Sequence, residues 1–138
     1  MVLDDAVRQA LTSGHLAHLV TLNADGGPQV TLVWVGLDGD EIVCAHLGSW
    51  QKVKNIQKDA RVALSMETGG KTGILDHYLV ISGRARITEG GAPQLLHQLA
   101  QIYVGLGTHF PDDNAPSGSI THITVEHIRG VGPWSEYH

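Results

Sequence analysis

The chain has 138 residues, 42% hydrophobic and 17% charged, a size and balance that predict one compact unit over residues 1–138 rather than a tandem array. Its formal net charge of -5 has the wrong sign for coating a nucleic-acid backbone, and its single cysteine, Cys44, excludes an internal disulfide or a multi-cysteine metal centre within one chain. Strand-sized apolar stretches and the opening MVLDDAVRQA predict neither a membrane span nor a secretory signal, which points to a reducing cytoplasm.

Taken in chain order, Asp4 to Ser13 places Leu3, Ala6, Val7, Ala10 and Leu11 on one helical face, and Gly14 supplies a stop. His15 to Leu22 and Pro28 to Gly36 are β-compatible runs flanking Asn23-Ala24-Asp25-Gly26-Gly27, which predicts a hairpin. Asp38-Gly39-Asp40 then turns the chain into Glu41 to His46, a third strand. From Ser49 to Asp59, Val53, Ile56 and Gln57 recur at helical spacing, with Ser49 as the expected N-cap. Arg61 to Glu67 and Tyr78 to Thr88 return to β character, Pro93 to Gly105 reads as a helix, and Ser119 to Gly130 as a last strand. This order predicts a mainly β fold, a six-stranded antiparallel β-barrel with peripheral helices. Leu16, His18, Val20 and Leu22 alternate with Ala17, Leu19 and Thr21, so both strand faces are apolar. Such double-sidedness predicts that a second copy covers the outside, making a homodimer.

No phosphate-binding loop, Rossmann glycine signature or Gly-x-Ser-x-Gly elbow is present, and Gly105-Leu106-Gly107 reads as a helix stop. His15 and His18, like His122 and His127, are an odd number of residues apart, which on a strand sends the two rings to opposite faces. No metal is expected there. Asp4-Asp5 and Asp112-Asp113 read as a helix start and a loop rather than paired catalytic carboxylates. Lys52, Lys54, Lys58 and Arg61 are four of nine basic residues in one short stretch of an acidic protein, which makes either a local anion site or a solvated helix face.

The segment from Leu19 to Val30, with its Gly27-Pro28-Gln29 turn, and the segment Ser49 to Leu64, with Lys52-x-x-Asn55, resemble the pyridoxamine 5′-phosphate oxidase-like split-barrel flavin and deazaflavin proteins. Within that superfamily they are most similar to the actinobacterial-type F420-dependent reductases, and Gly130-Val131-Gly132-Pro133-Trp134 resembles their tail. The resemblance implies an FMN-binding-type split barrel and a homodimer with a cofactor, coenzyme F420 or alternatively FMN, at the subunit interface. By the same resemblance Lys52 meets the cofactor phosphate or acidic tail while Ser49 and Asn55 support the helix start. Gln29 and Thr31 lie beside the ring, and the backbone of Ala45 and His46 approaches it. Tyr78 is an aromatic contributed across the dimer, and Trp134 lies either at the substrate side of the pocket or in the core. Many relatives carry an arginine and a proline where this chain has Trp50 and Ala60, which implies either that Lys54 substitutes for that arginine or that the cofactor rests differently.

The implied chemistry is hydride transfer from reduced deazaflavin to an electron-poor conjugated small molecule such as a lactone, quinone or tetrapyrrole, with no side-chain nucleophile and an unassigned proton donor. The alternatives are an FMN-dependent oxidoreductase and a non-catalytic flavin- or haem-binding module. A pyridoxamine phosphate oxidase proper lacks support, because no second basic cluster is evident for a substrate phosphate.

Overall fold

The computed structural model describes residues 1–135. Its elements are α1 (Asp5–Leu11), β1 (Ala17–Leu22), β2 (Pro28–Val33), β3 (Gly36–Asp38), β4 (Glu41–His46), α2 (Gln51–Lys58), β5 (Arg61–Thr72), β6 (Leu75–Glu89), α3 (Ala92–Tyr103) and β7 (Ser119–Val131). All strands join one antiparallel sheet in the order β2-β1-β5-β6-β7-β4-β3. The mainly β, split-barrel expectation therefore holds, with seven strands in place of six.

The extra strand arises where the chain leaves one edge of the sheet for the other. β2 pairs only with β1 and β3 only with β4, yet just Trp34 and Val35 separate them. A continuous strand from Pro28 to Leu37 cannot pair at both edges, so it breaks there, and the two edges meet at a seam rather than through a ladder. Tyr103, the last residue of α3, closes the seam. Its hydroxyl accepts the Val35 N–H at 2.9 Å and faces the carbonyls of His15 at 3.0 Å and Val35 at 3.2 Å as acceptors. Trp34 stacks on the same ring, with centroids 5.3 Å apart.

β5 and β6 run further toward their turn than their alternation predicts. Gly69 and Gly70 take φ of 74° and 86° and absorb a register shift between Glu67 and Lys71, so these glycines mark a bulge inside the hairpin and not its ends. α1 starts on Asp4, whose Oδ1 accepts the Val7 N–H at 3.0 Å, and buries Val7, Ala10 and Leu11 against the core. The barrel interior is filled from nearly every strand, by Leu19, Ile42, Leu64, Leu79, Ile81 and Ile123 among others. Among the described residues no helix is long and apolar enough to cross a membrane.

Candidate cofactor site

α2 decides which basic residues can act together. At about 100° per residue, Lys52 and Lys54 project on nearly opposite sides, whereas Lys54 and Lys58 share one side. Lys52, Val53, Asn55 and Ile56 are the buried face, and Lys54, Gln57 and Lys58 are exposed. Arg61 is taken by Asp59, with Nε–Oδ1 at 3.1 Å, Nη2–Oδ2 at 2.7 Å and a backbone N–H bond to the same carboxylate. The basic stretch is therefore three separate features: a buried cation, an exposed lysine pair and a closed surface ion pair. Lys54 and Lys58 line a hollow of about 500 Å³ with Ala24, Gln51, Asn55 and Gln57. Ser49 does not cap α2. The N-cap position falls on Trp50, which makes no side-chain cap bond, because the helix begins one residue later than the periodicity implies.

Lys52 is 8% exposed, and its Nζ lies 5.1 Å from the centroid of the Trp50 ring. No described carboxylate pairs with it. Burial pushes its pKa down, offset in part by Cys44. The indole that covers it crosses the strand-to-helix turn so closely that a Cβ on Gly48 would sit 2.7 Å from Trp50 Nε1. Beneath lies His46, fully buried, edge-on to Trp50 at 6.1 Å, its Nε2 2.7 Å from Thr121 Oγ1 and its Nδ1 without a hydrogen-bond partner among the described residues. Burial, and secondarily the Lys52 charge, lower the His46 pKa to about 4, so the ring is neutral at neutral pH. Burial likewise pushes the Cys44 thiol up to about 12, which leaves it a thiol and a poor nucleophile.

A polar chain ties α2 to the β1–β2 hairpin. Gln51 Nε2 donates to Asn55 Oδ1 at 2.7 Å; Asn55 Nδ2 donates to Thr21 Oγ1 at 3.0 Å and to Asn23 Oδ1 at 2.9 Å; Thr21 Oγ1 donates to Gln29 Oε1 at 3.3 Å. Thr21 and Gln29 are directly paired across the hairpin, and Thr31 lies two residues along on the same face. The Thr31 hydroxyl oxygen is buried and has no described partner. Beside the hairpin, a cleft of about 230 Å³ is walled by Leu16, Leu32, Trp34, Trp50 and Phe110, with Ala45 and Lys52 also lining it. Trp34 is held in that wall by its stack on Tyr103 and by the edge of Phe110 at 5.8 Å.

Of the residues singled out in the sequence, the structure brings Ala45 and Lys52 to one cleft and Gln29 and Asn55 into one network, with His46 below. Ser49 and Lys54 line a different hollow, beside Ser117 and Glu89. Tyr78 and Trp134 lie elsewhere in the chain. The Trp134 indole donates to the Tyr78 carbonyl at 2.9 Å, packs into the core at 3% exposure, and turns one edge to a cleft shared with His15, Thr68 and His77. The Tyr78 side chain faces outward, 43% exposed. Sequence reasoning missed Thr21, Trp34 and Phe110 as site residues. Thr21 was recoverable, since the Asn23–Gly27 turn sets the register that pairs it with Gln29; Trp34 and Phe110 meet only through the seam.

A split barrel whose strand-to-helix turn presents a lone buried lysine beside an aromatic cleft belongs to the fold of flavin- and deazaflavin-related oxidoreductases. The chain is a member of the pyridoxamine 5′-phosphate oxidase family, whose model matches residues 3–132. It is similar to a solved F420 reductase, with a TM-score of 0.74 and 25% identity over 92% of this chain and 98% of that one. It also superposes on a conserved hypothetical protein of Mycobacterium tuberculosis (TM-score 0.72, 24% identity, 94% of this chain and 85% of that one). A third match is a heme binding protein of Mycobacterium smegmatis (TM-score 0.65, 21% identity, 96% of this chain and 56% of that one); this and the M. tuberculosis match are likenesses of fold alone. No curated protein matches the sequence.

Proposed function

We propose that residues 1–138 form one cofactor-binding unit that works in the cytoplasm as an F420H2-dependent reductase, passing a hydride to an electron-poor conjugated small molecule. The observation that carries this reading is Lys52, whose stem is buried and whose ammonium opens on the aromatic cleft beside the Trp50 ring with no described carboxylate paired to it. A partly desolvated charge without a counter-ion is a ready partner for an anion, and an anionic cofactor would supply one. The unpartnered Thr31 hydroxyl two residues from Gln29 supplies a second group in need of a ligand atom. The F420 reductase likeness adds its weight to deazaflavin.

When bound, the reduced deazaflavin supplies the hydride. The protein's own part is geometric. Lys52 holds the anionic end, Gln29 and Thr31 orient the ring, and Trp34, Trp50 and Phe110 keep water from it. His46, neutral and fully buried, supports the strand that carries Ala45. With Arg61 occupied by Asp59, Lys54 and Lys58 are the cations left to meet an acidic tail. The outward Tyr78 reaches a site only from a second copy, so the reading includes a homodimer.

Side-by-side titration with F420 and FMN tests this. F420 is expected to bind more tightly, with an affinity that falls as salt rises, and reduced F420 is expected to be oxidised when a quinone is added. Tighter FMN binding with no turnover of reduced F420 overturns it. That outcome selects FMN as the ligand, which the pairing of Arg61 with Asp59 favours because a single phosphate needs fewer partners, and turnover of an acceptor by the FMN-loaded protein then separates an FMN-dependent oxidoreductase from a non-catalytic flavin-binding module.

A further inference from the structure

We propose that the hollow between α1 and the β5–β6 bulge is a second ligand site, which takes a small neutral nitrogen heterocycle of the size and polarity of a purine base. It shares no lining residue with the aromatic cleft and does not depend on what that cleft binds.

The site begins with strand alternation. Along β5, Leu64 and Met66 face the core and Thr68 is next in that row; along β6, Ile81 and Leu79 face the core and His77 is next. Glu67 and Tyr78, paired across the hairpin, belong to the other face. Both inward rows thus turn from apolar to polar at the same level, where a barrel that needed only a plug would go on burying carbon. Thr68 Oγ1 is buried there without a partner among the described residues. The bulge leaves room for the imidazole: His77 Nε2 lies 2.8 Å from Thr72 Oγ1, and a Cβ on Gly70 would sit 3.1 Å from His77 Nδ1.

The lining sets the chemistry of the ligand. The hollow has a volume of about 360 Å³, and its hydrogen-bonding groups include Gln9, His15, Thr68 and His77. Among the described residues no Asp, Glu, Lys or Arg lines it. A charged ligand would lose water there and gain no counter-charge, so a neutral one is selected. Ala6, Pro133 and one edge of Trp134 supply carbon between the polar groups, and the indole N–H is already donated to the Tyr78 carbonyl at 2.9 Å. A flat heterocycle, with apolar faces and hydrogen-bonding edges, matches this pattern. A sugar does not, because its hydroxyls project all round and its apolar side needs an open aromatic face, whereas Trp134 is 3% exposed.

The test uses adenine and hypoxanthine, both uncharged at pH 7, with benzoate as a charged ring of similar size. Binding is followed by NMR through the imidazole signals of His15 and His77 in protein labelled with nitrogen-15 histidine, assigned by single substitution. At least one base is expected to shift both signals saturably, with a dissociation constant below about 1 mM and at least about tenfold tighter than benzoate. Thr68→Val, which keeps the shape and removes the hydroxyl, is expected to weaken that base at least about fivefold without lowering the melting temperature, since the lost group has no partner in the fold. Ala6→Leu, which fills the hollow, is expected to abolish the shifts while the protein still melts cooperatively. The proposal is overturned if neither base shifts the two signals, if benzoate binds as tightly as the bases, or if Thr68→Val either binds as the wild type does or melts at a lower temperature.

Discussion

Lys52 and His46 are neighbours whose charges compete, and each leaves a measurable trace. Lys52 has a buried stem and a partly desolvated ammonium without a described counter-ion, which burial pushes toward the neutral form, so the proposed cofactor anion would relieve a cost borne by the ligand-free protein. Lys52→Met removes that charge while keeping the stem. It is expected to weaken cofactor binding roughly ten- to a hundredfold by calorimetry, yet to raise the melting temperature of the ligand-free protein by about 3 °C, corresponding to ~1 kcal/mol at this chain length. A residue that only stabilised the fold would move the two in the same direction. His46 carries a pH signature. Its pKa is about 4 in the fold against an ordinary 6.5, because burial and then Lys52 oppose its protonation. Above pH 6.5 neither the folded nor the unfolded state is charged at this position; below it, the unfolded chain takes a proton that the fold refuses. Stability should therefore fall as pH drops from 6.5 through 4, by up to about 3 kcal/mol from this group. His46→Gln, which cannot titrate, should show a shallower loss across that window in urea denaturation followed at a series of pH values.

At the level of elements, the seam and α2 do different work. The seam is held by one hydroxyl that satisfies the buried Val35 N–H, so Tyr103→Phe leaves that donor unpaired and is expected to cost about 2 kcal/mol, seen as a melting point lower by roughly 6 °C. The fluorescence of Trp34, stacked on the same ring, should change with it. α2 shows how far one-dimensional reading reaches. Its existence and its burial of Val53 and Ile56 follow from apolar spacing, and the separation of Lys52 from Lys54 was available from the same 3.6-residue period. That Arg61 is withdrawn by Asp59 depends on how the chain leaves the helix. The cap was missed because Ser49 and Trp50 compete for one position, and the close crossing of the indole over Gly48 decides between them.

For the whole molecule, the outer face of the β1–β2 hairpin leaves apolar side chains in contact with water. Leu16, Val30 and Leu32 are each more than half exposed, an apolar surface beside the aromatic cleft. Sedimentation at micromolar concentration is expected to show a species of twice the 14.8 kDa chain mass, and Leu32→Asp to shift it toward the monomer with loss of cofactor affinity. A clean monomer in the wild type would remove the second copy from the site and with it any role for Tyr78.

By itself the sequence determined the local periods, and with them six of the seven strands, the helices and the two-sided apolarity of the barrel wall. Its turn and lysine motifs were enough for the family resemblance, and they marked Lys52, Asn55 and Gln29. What only the tertiary structure decided lies where distant segments share atoms. The split of β2 from β3 needs both sheet edges, the aromatic cleft needs α3 and the 104–118 connection folded over Trp34, and the polar chain from Gln51 through Asn55 and Thr21 to Gln29 needs α2 laid against the hairpin. Periodicity is a property of neighbours along the chain, whereas burial of a charge and the sharing of a proton depend on groups that meet only when the sheet curls closed.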